Sequence, residues 1–350
     1  MIQVLHNKWC TTEYYKLNES HLFVPNQDMN KKNVAVLCGG TTAERNISLE
    51  SGEVVYRSLD RSLYVPFKVE INADNWVVAE NGAAVDKNIF GFTSSGSTVT
   101  FDMAFVAIHG SPGEDGKLQG YLEMMGIPFT CCDTIAAAIS FNKSYCKQVV
   151  QEHVATAKGM LIHKKDMEGA ADRLSGLQLP LFVKPNNNGS SYGISRVNKS
   201  SDLMQALEEG LQYDDEILVE EAIIGTEVTC GLYRYKGEVV VLPICEIVAG
   251  EHEFFNYTAK YIQGESDEII PARIHEETAN AVKAVSAAIY DLLGCSGVVR
   301  IDYILKDGVP YFLEVNTVPG LSAASIVPKM AIASGLTLTD FFTRLLSESL

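Results

Sequence analysis

The sequence predicts an α/β and α+β protein, with an open, mostly parallel α/β domain towards the N-terminus and antiparallel hairpins towards the C-terminus. Three observations predict it. Residues 33–38 (NVAVLC) and 104–109 (AFVAIH) are short unbroken apolar runs that end in glycine, as strands buried on both faces do. Helical stretches follow both. Beyond Gly225 the runs lengthen and meet at Lys236-Gly237 and Asp307-Gly308, which read as hairpin tips.

Taken in order, residues 1–28 lack a basic stretch followed by an apolar one, so they read as an upstream start or loosely ordered tail, not a secretory signal. A first domain, residues 29–133, contains the strand at 33–38, a helix at 43–59, the strand at 104–109, a helix at 118–125 and a short strand at 127–130. Open sheets of this kind bind ligands beyond the carboxyl ends of their strands. A second unit, residues 134–224, has a helix at 134–153, then strand LFVKP, a Gly/Asn/Ser loop, strand GISRV, a helix near 201–211 and strand EILVEEAI. The third, residues 225–350, has strands TEVTCGLYRY and GEVVVLPICEIV, a polar loop at 249–272, a helix at 276–293, a last hairpin and two helices.

A net charge of −16 over 350 residues argues against nucleic acid, whose phosphates call for a basic face. It leaves room for a nucleotide, which needs only a local cluster of cations. No apolar run approaches the roughly 18–20 residues of a membrane helix. The eight cysteines are scattered without CxxC pairs, which suggests idle thiols in a reducing cytosol.

The chemistry concentrates in Arg300-Ile301-Asp302 and Glu314-Val315-Asn316. Both pieces alternate polar and apolar, as strands with two different faces do. A three-residue loop, Asp307 to Val309, would set Asp302 opposite Glu314 and Arg300 opposite Asn316, with Ile301, Tyr303, Leu313 and Val315 facing the core. A two-residue turn would set Leu313 across from Asp302 and scatter the polar set, so the pattern favours the odd loop. Two neighbouring carboxylates require a positive partner, and an oxygen-rich set with an Asn suits Mg²⁺. The alternative is an ordinary solvent-facing hairpin with an Arg300–Asp302 surface pair.

Lys184 opens the loop Pro185-Asn186-Asn187-Asn188-Gly189-Ser190-Ser191-Tyr192-Gly193, whose main-chain N–H groups could wrap an oxyanion; a plain turn-rich connection is the alternative. Glu220 and Glu227 offer carboxylates to an adenine edge and ribose hydroxyls, or simply end an exposed acidic strand. Glu44, at a strand-to-helix turn, suits a substrate ammonium or a helix cap. His109 ends the second buried strand and is either ligand-facing or a satisfied core histidine. Lys260-Tyr261 lies in the long polar loop, a length typical of lids.

Together these motifs resemble the D-alanine–D-alanine ligases of the ATP-grasp superfamily. VAVLCGGTTAERNISL, AIHGSPGEDGKLQGYLEMMGIPFT, VKPNNNGSSYGIS, RIDY and LEVNTVPGLS fall in the family's order and spacing, from about residue 33 to 346. The resemblance implies an ATP-grasp fold behind the N-terminal α/β domain. It implies phosphate contacts from Lys143, Lys184 and Lys260, and adenine and ribose contacts from Glu220, Ile223 and Glu227. Two Mg²⁺ ions, or Mn²⁺, would rest on Asp302, Glu314 and Asn316. Glu44, Ser190 and Tyr261 resemble the trio that positions the first D-alanine, and His109 a substrate-facing histidine. Arg300 and the Gly320 N–H match the oxyanion-steadying groups, and Ser325 the receiver of the second carboxylate.

The implied reaction joins two D-alanines through an acylphosphate, in a cytoplasmic homodimer that makes peptidoglycan precursors. Asn142 stands before Lys143 where an acid is common, three asparagines precede Gly189, and Leu-Ser-Ala-Ala precedes Ser325. The rivals are a related ligase with another amine or hydroxy acid, and a nucleotide-binding regulatory module; the latter requires a broken metal set.

Overall fold

The computed structural model describes residues 31–187, 189, 192–248 and 267–349. Its N-terminal part contains β1 (Lys32–Gly39), α1 (Arg45–Ser58), β2 (Tyr64–Ile71), β3 (Trp76–Val78), a small antiparallel sheet of β4 (Val85–Asp86), β5 (Gly91–Ser94) and β6 (Ser97–Thr100), then β7 (Met103–Val106) and α2 (Lys117–Met124). β1 runs parallel to β2 and β7, and β3 closes the order β3-β2-β1-β7 antiparallel. Phe67, Phe92, Phe101, Leu118 and Leu122 fill one side of this sheet. On the other side Phe105 meets Phe342 edge-on, with ring centroids 5.5 Å apart, which joins the sheet to the C-terminal helices.

The middle of the chain forms α3 (Thr134–Phe141), α4 (Lys143–Val150), β8 (Ala155–Thr156), β9 (Gly159–His163), α5 (Ala170–Leu174), β10 (Leu181–Pro185), β11 (Ser195–Val197), α6 (Leu203–Gly210) and β12 (Glu216–Glu221). A four-stranded antiparallel sheet, β11-β10-β12-β9, packs over Ile162, Leu181, Val183, Leu207 and Val219. The third part comprises β13 (Thr226–Tyr235), β14 (Glu238–Val241), β15 (Cys245–Val248), β16 (Asp267–Ile269), α7 (Glu276–Leu292), β17 (Val298–Lys306), β18 (Val309–Asn316), α8 (Ile326–Ala333) and α9 (Leu338–Glu348). Its sheet runs β16-β15-β13-β17-β18-β8, with β14 alongside β13. α3 and α4 pack here, through Ala137, Cys146 and Val150. α4 also reaches the central sheet, where Lys147 binds Glu220 on β12.

The last hairpin differs from the three-residue loop expected. Lys306 pairs with Val309, leaving a two-residue Asp307-Gly308 turn with φ of 52° and 79°, the left-handed pair that tight hairpins use. A register shift between Asp302 and Tyr303, with Leu313 as the extra residue, restores the pairing of Asp302 with Glu314 and of Arg300 with Asn316. Phe312, not Leu313, joins Ile301, Tyr303 and Val315 in the core.

Other expectations also need correction. The helix at 134–153 breaks at Asn142, whose extended backbone (ψ 104°) ends α3 and caps α4. Residues 127–130 supply only a bridge, Phe129 to Ala104. GEVVVLPICEIV is interrupted at residues 242–244 into β14 and β15. β2 to β6, β8, β9 and α5 lie outside the expected elements, as does β16, which falls within the polar loop expected at 249–272.

Candidate active site

β17 and β18 present one polar face. Arg300 holds Asp302 in a fork, Nε to Oδ1 at 2.9 Å and Nη2 to Oδ2 at 2.8 Å. The Thr229 hydroxyl on β13 donates to Oδ1, and Asn316 Nδ2 donates to Oδ2 at 3.1 Å. The Arg300 and Asp302 side chains are only 14% and 10% exposed, so this is no surface ion pair. Glu314, directly opposite Asp302, has Lys143 Nζ 3.8 Å away. Among the described residues no three His, Cys, Asp or Glu converge as a metal site; the set is two carboxylates and an amide.

Lys143 is the first residue of α4, and that helix start is held twice. Asn142 Oδ1 accepts the Tyr145 N–H at 2.9 Å, and Asn186 Oδ1 accepts the Ser144 N–H at 2.9 Å. Asn142 Nδ2 also donates to Asn187 Oδ1 at 2.8 Å, which an acid at 142 could not do. The loop after β10 is thereby fastened to the helix that carries Lys143.

On the central sheet, Glu220 lies opposite Phe182 and shares a face with Lys184. Lys184 Nζ donates to Glu220 Oε2 at 2.8 Å, and Lys147 Nζ binds Glu220 Oε1 and the Ala157 carbonyl. Burial works against the Lys184 charge, but Glu220 outweighs it, with Glu314 and Glu227 adding, and its pKa ends above the usual lysine value. Burial likewise works against the Glu220 carboxylate, and Lys184 and Lys147 reverse that, leaving its pKa below the usual value. Ile223 lies in the connection after β12, and Glu227 on β13 opposite Ile304.

The third group joins the N-terminal sheet to residues 318–321. Since Val318 O can only accept, His109 Nδ1 carries the proton it donates at 2.8 Å. Nε2 then accepts from the Ser51 hydroxyl at 2.9 Å, and Ser51 Oγ accepts the Leu321 N–H at 3.1 Å. Both nitrogens of His109 are engaged, as in a satisfied core histidine, and burial lowers its pKa despite the nearby Glu44. Glu114 takes the Gly110 N–H on Oε2 at 2.7 Å and the Val318 N–H on Oε1 at 3.2 Å. Burial, with Glu44 next, pushes its pKa up to about 8.

Glu44 is buried and makes no side-chain cap to α1. Its Oε2 lies 3.0 Å from where a Cβ on Gly110 would be and 2.8 Å from one on Gly189, so both glycines make room for it. Thr42, Glu44, Gly110, Asn142, Tyr145 and Gly189 are among the residues lining a cleft of about 510 Å³. Gly320 approaches Ser325 so closely that a Cβ would meet Ser325 Oγ at 2.6 Å, and Ser325 Oγ shares a hydrogen bond of 2.9 Å with Ser322. Ser190, Lys260 and Tyr261 lie outside the described residues.

Sequence reasoning missed Ser51, Thr229, Lys147 and the roles of Glu114 and Asn186. Lys147, one helical turn from Lys143, carried a usable signal. Ser51 and Thr229 carried none.

The family described as D-ala D-ala ligase N-terminus matches residues 33–132, and that described as D-ala D-ala ligase C-terminus matches residues 149–347. The D-alanine–D-alanine ligase of Flavobacterium johnsoniae is 42% identical over 323 residues, 91% of this chain and 99% of the relative. That of Bacteroides fragilis is 40% identical over 323 residues, again 91% and 99%. Among solved structures, the VanG D-Ala:D-Ser ligase from Enterococcus faecalis superposes with a TM-score of 0.83 at 30% identity, covering 91% of this chain and 100% of its own. The D-alanine–D-alanine ligase from Bacillus anthracis complexed with ATP superposes with a TM-score of 0.73 at 29% identity, covering 91% and 97%.

Proposed function

The chain belongs to the D-alanine–D-alanine ligase family, and from that premise we infer that it joins two D-alanine molecules into D-alanyl-D-alanine for peptidoglycan precursors, converting ATP to ADP and phosphate. One observation supports this above the others: Asp302 and Glu314 face each other on a half-buried sheet face, with Arg300 and Lys143 beside them. That arrangement concentrates charge where a phosphoryl group would be transferred.

ATP is taken between the central and C-terminal sheets, within a division of the chain into residues 29–133, 134–224 and 225–350 in which α3, α4 and β8 of the middle unit pack on the C-terminal sheet. Lys143 and Lys184, with Lys260, neutralise its phosphates, while Glu220, Ile223 and Glu227 hold adenine and ribose. Two Mg²⁺ ions, or Mn²⁺, fit the donor set of Asp302, Glu314 and Asn316, whose carboxylates already lean on cations in Arg300 and Lys143. Bound there, the metal supplies positive charge to the transferring phosphoryl oxygens.

Glu44, with Ser190 and Tyr261, receives the ammonium of the first D-alanine, leaving its carboxylate for the γ-phosphoryl group. The product is an acylphosphate. The amine of the second D-alanine, its carboxylate on Ser325, attacks the acyl carbon and phosphate leaves. Arg300 and the Gly320 N–H meet the oxyanion, so the residues act by position and charge. His109, already bonded through both ring nitrogens, sets residues 318–321 and exchanges no proton. Water must be kept from the acylphosphate. A cytoplasmic location and a homodimeric state complete the reading.

The test is phosphate release from ATP with and without D-alanine, together with identification of the product. Release that depends on D-alanine and matches dipeptide formation is expected. A D-alanine-independent rate, or a product formed only with D-lactate, would overturn it.

A further inference from the structure

Two lysines meet one buried carboxylate in the nucleotide site, and only one of them has been given a part. Lys147 lies on α4 one turn beyond Lys143, so the two side chains leave the same face of the helix. Lys143 reaches Glu314 on the C-terminal sheet, and Lys147 reaches Glu220 on the central sheet. Lys147 is doubly anchored, to Glu220 Oε1 and to the Ala157 carbonyl. Lys184 instead shares Glu220 from a strand, with its ammonium 5.6 Å from the centre of the Phe182 ring.

We propose that Lys147 is a positioning residue of the nucleotide site, which keeps Glu220 neutralised so that Lys184 can turn from Glu220 to the nucleotide phosphates. This rests on the reading above that ATP occupies the site. The physical reason is that Glu220 is almost fully buried. Were Lys184 its sole cation, drawing that ammonium away would strand an ionised carboxylate out of water, a costly arrangement. Lys184 would then remain locked in an ion pair. With Lys147 in place the carboxylate retains a partner in either position of Lys184. Gly159 contributes space: a Cβ there would meet Glu220 Cγ at 2.9 Å and the Val219 carbonyl at 2.7 Å, and would shift the carboxylate off the lysines.

The test is steady-state kinetics of the full-length enzyme carrying Lys147→Gln, alone and together with Glu220→Gln. Lys147→Gln is expected to raise the KM for ATP about 10-fold or more, and the KM for D-alanine less than about 2-fold. In the Glu220→Gln background the carboxylate that traps Lys184 is gone, so adding Lys147→Gln should raise the KM for ATP less than about 2-fold. Lys147→Arg retains the charge and should stay within about 3-fold of the parent for ATP. An unchanged KM for ATP in Lys147→Gln, an equal rise in both backgrounds, or Lys147→Arg as impaired as Lys147→Gln would overturn the proposal. If Lys147→Gln does not fold, Lys147→Met, which keeps the apolar stem and removes the charge, takes its place in each comparison. A parent enzyme that forms no ADP with D-alanine would instead refute the functional reading.

Discussion

Asp302 and Glu314 face one another across the β17–β18 hairpin even though a regular two-residue turn would set Leu313 opposite Asp302. One extra residue in β18 corrects the register, so the pairing of the two carboxylates depends on a bulge. Bulges next to active sites commonly re-aim side chains in this way.

Deleting Leu313 should therefore be tolerated. Phe312 would be followed directly by Glu314, still opposite Asp302, and the enzyme should retain turnover within about 10-fold, at a cost of roughly 1–2 kcal/mol for the lost apolar surface. Under a three-residue loop the same deletion would turn Glu314 towards the core and abolish activity. Turnover and urea unfolding of the deletion variant distinguish the two.

Ser51 accepts from Leu321 and donates to His109, so Ser51→Ala orphans two buried polar atoms. Each such loss is typically about 1–3 kcal/mol. We expect unfolding free energy to fall by about 2 kcal/mol or more, and turnover to fall with it as residues 318–321 loosen around Gly320. A stability change below about 0.5 kcal/mol would contradict the hydrogen-bond chain.

Glu114 gives a pH signature. Its folded pKa, about 8, lies above the ordinary carboxyl value of 4.5. The folded state thus binds the proton more tightly, and this stabilising contribution is complete below about pH 4.5 and lost as pH rises through about 8. Glu114→Gln cannot ionise. The stability of the parent relative to Glu114→Gln should fall steadily across that window, by an amount on the order of a few kcal/mol. Chemical unfolding at several pH values measures it; a flat difference would show that Glu114 is ionised throughout.

Much of this architecture was legible because buried strands and hairpin faces leave periodic marks. The polar set Arg300, Asp302, Glu314 and Asn316 could be read as one face, yet the reason differed: a bulge changes the residue count silently, and an Asp-Gly turn was the stronger local signal. β2 was missed although Phe67 to Ile71 alternates. Pro66 interrupts it, and a proline argues against an inner strand. It is tolerated because β3 reaches only Val69 to Ile71, leaving β2 without a neighbour on that side at Pro66 among the described residues. The break at Asn142 was available as a capping signal inside an otherwise helical run. Ser51 and Thr229 were invisible, because their partners lie 270 and 73 residues away in sequence.

If the Asp302–Glu314 face does the charge work of phosphoryl transfer, removing one of its charges must slow the reaction without unfolding the protein. D-alanine-dependent turnover of Glu314→Gln, a near-isosteric change that removes one charge, decides this, with thermal unfolding measured in parallel. A ~10²-fold or greater loss of turnover is expected, with the fold retained. Near-normal turnover in a folded variant would contradict it.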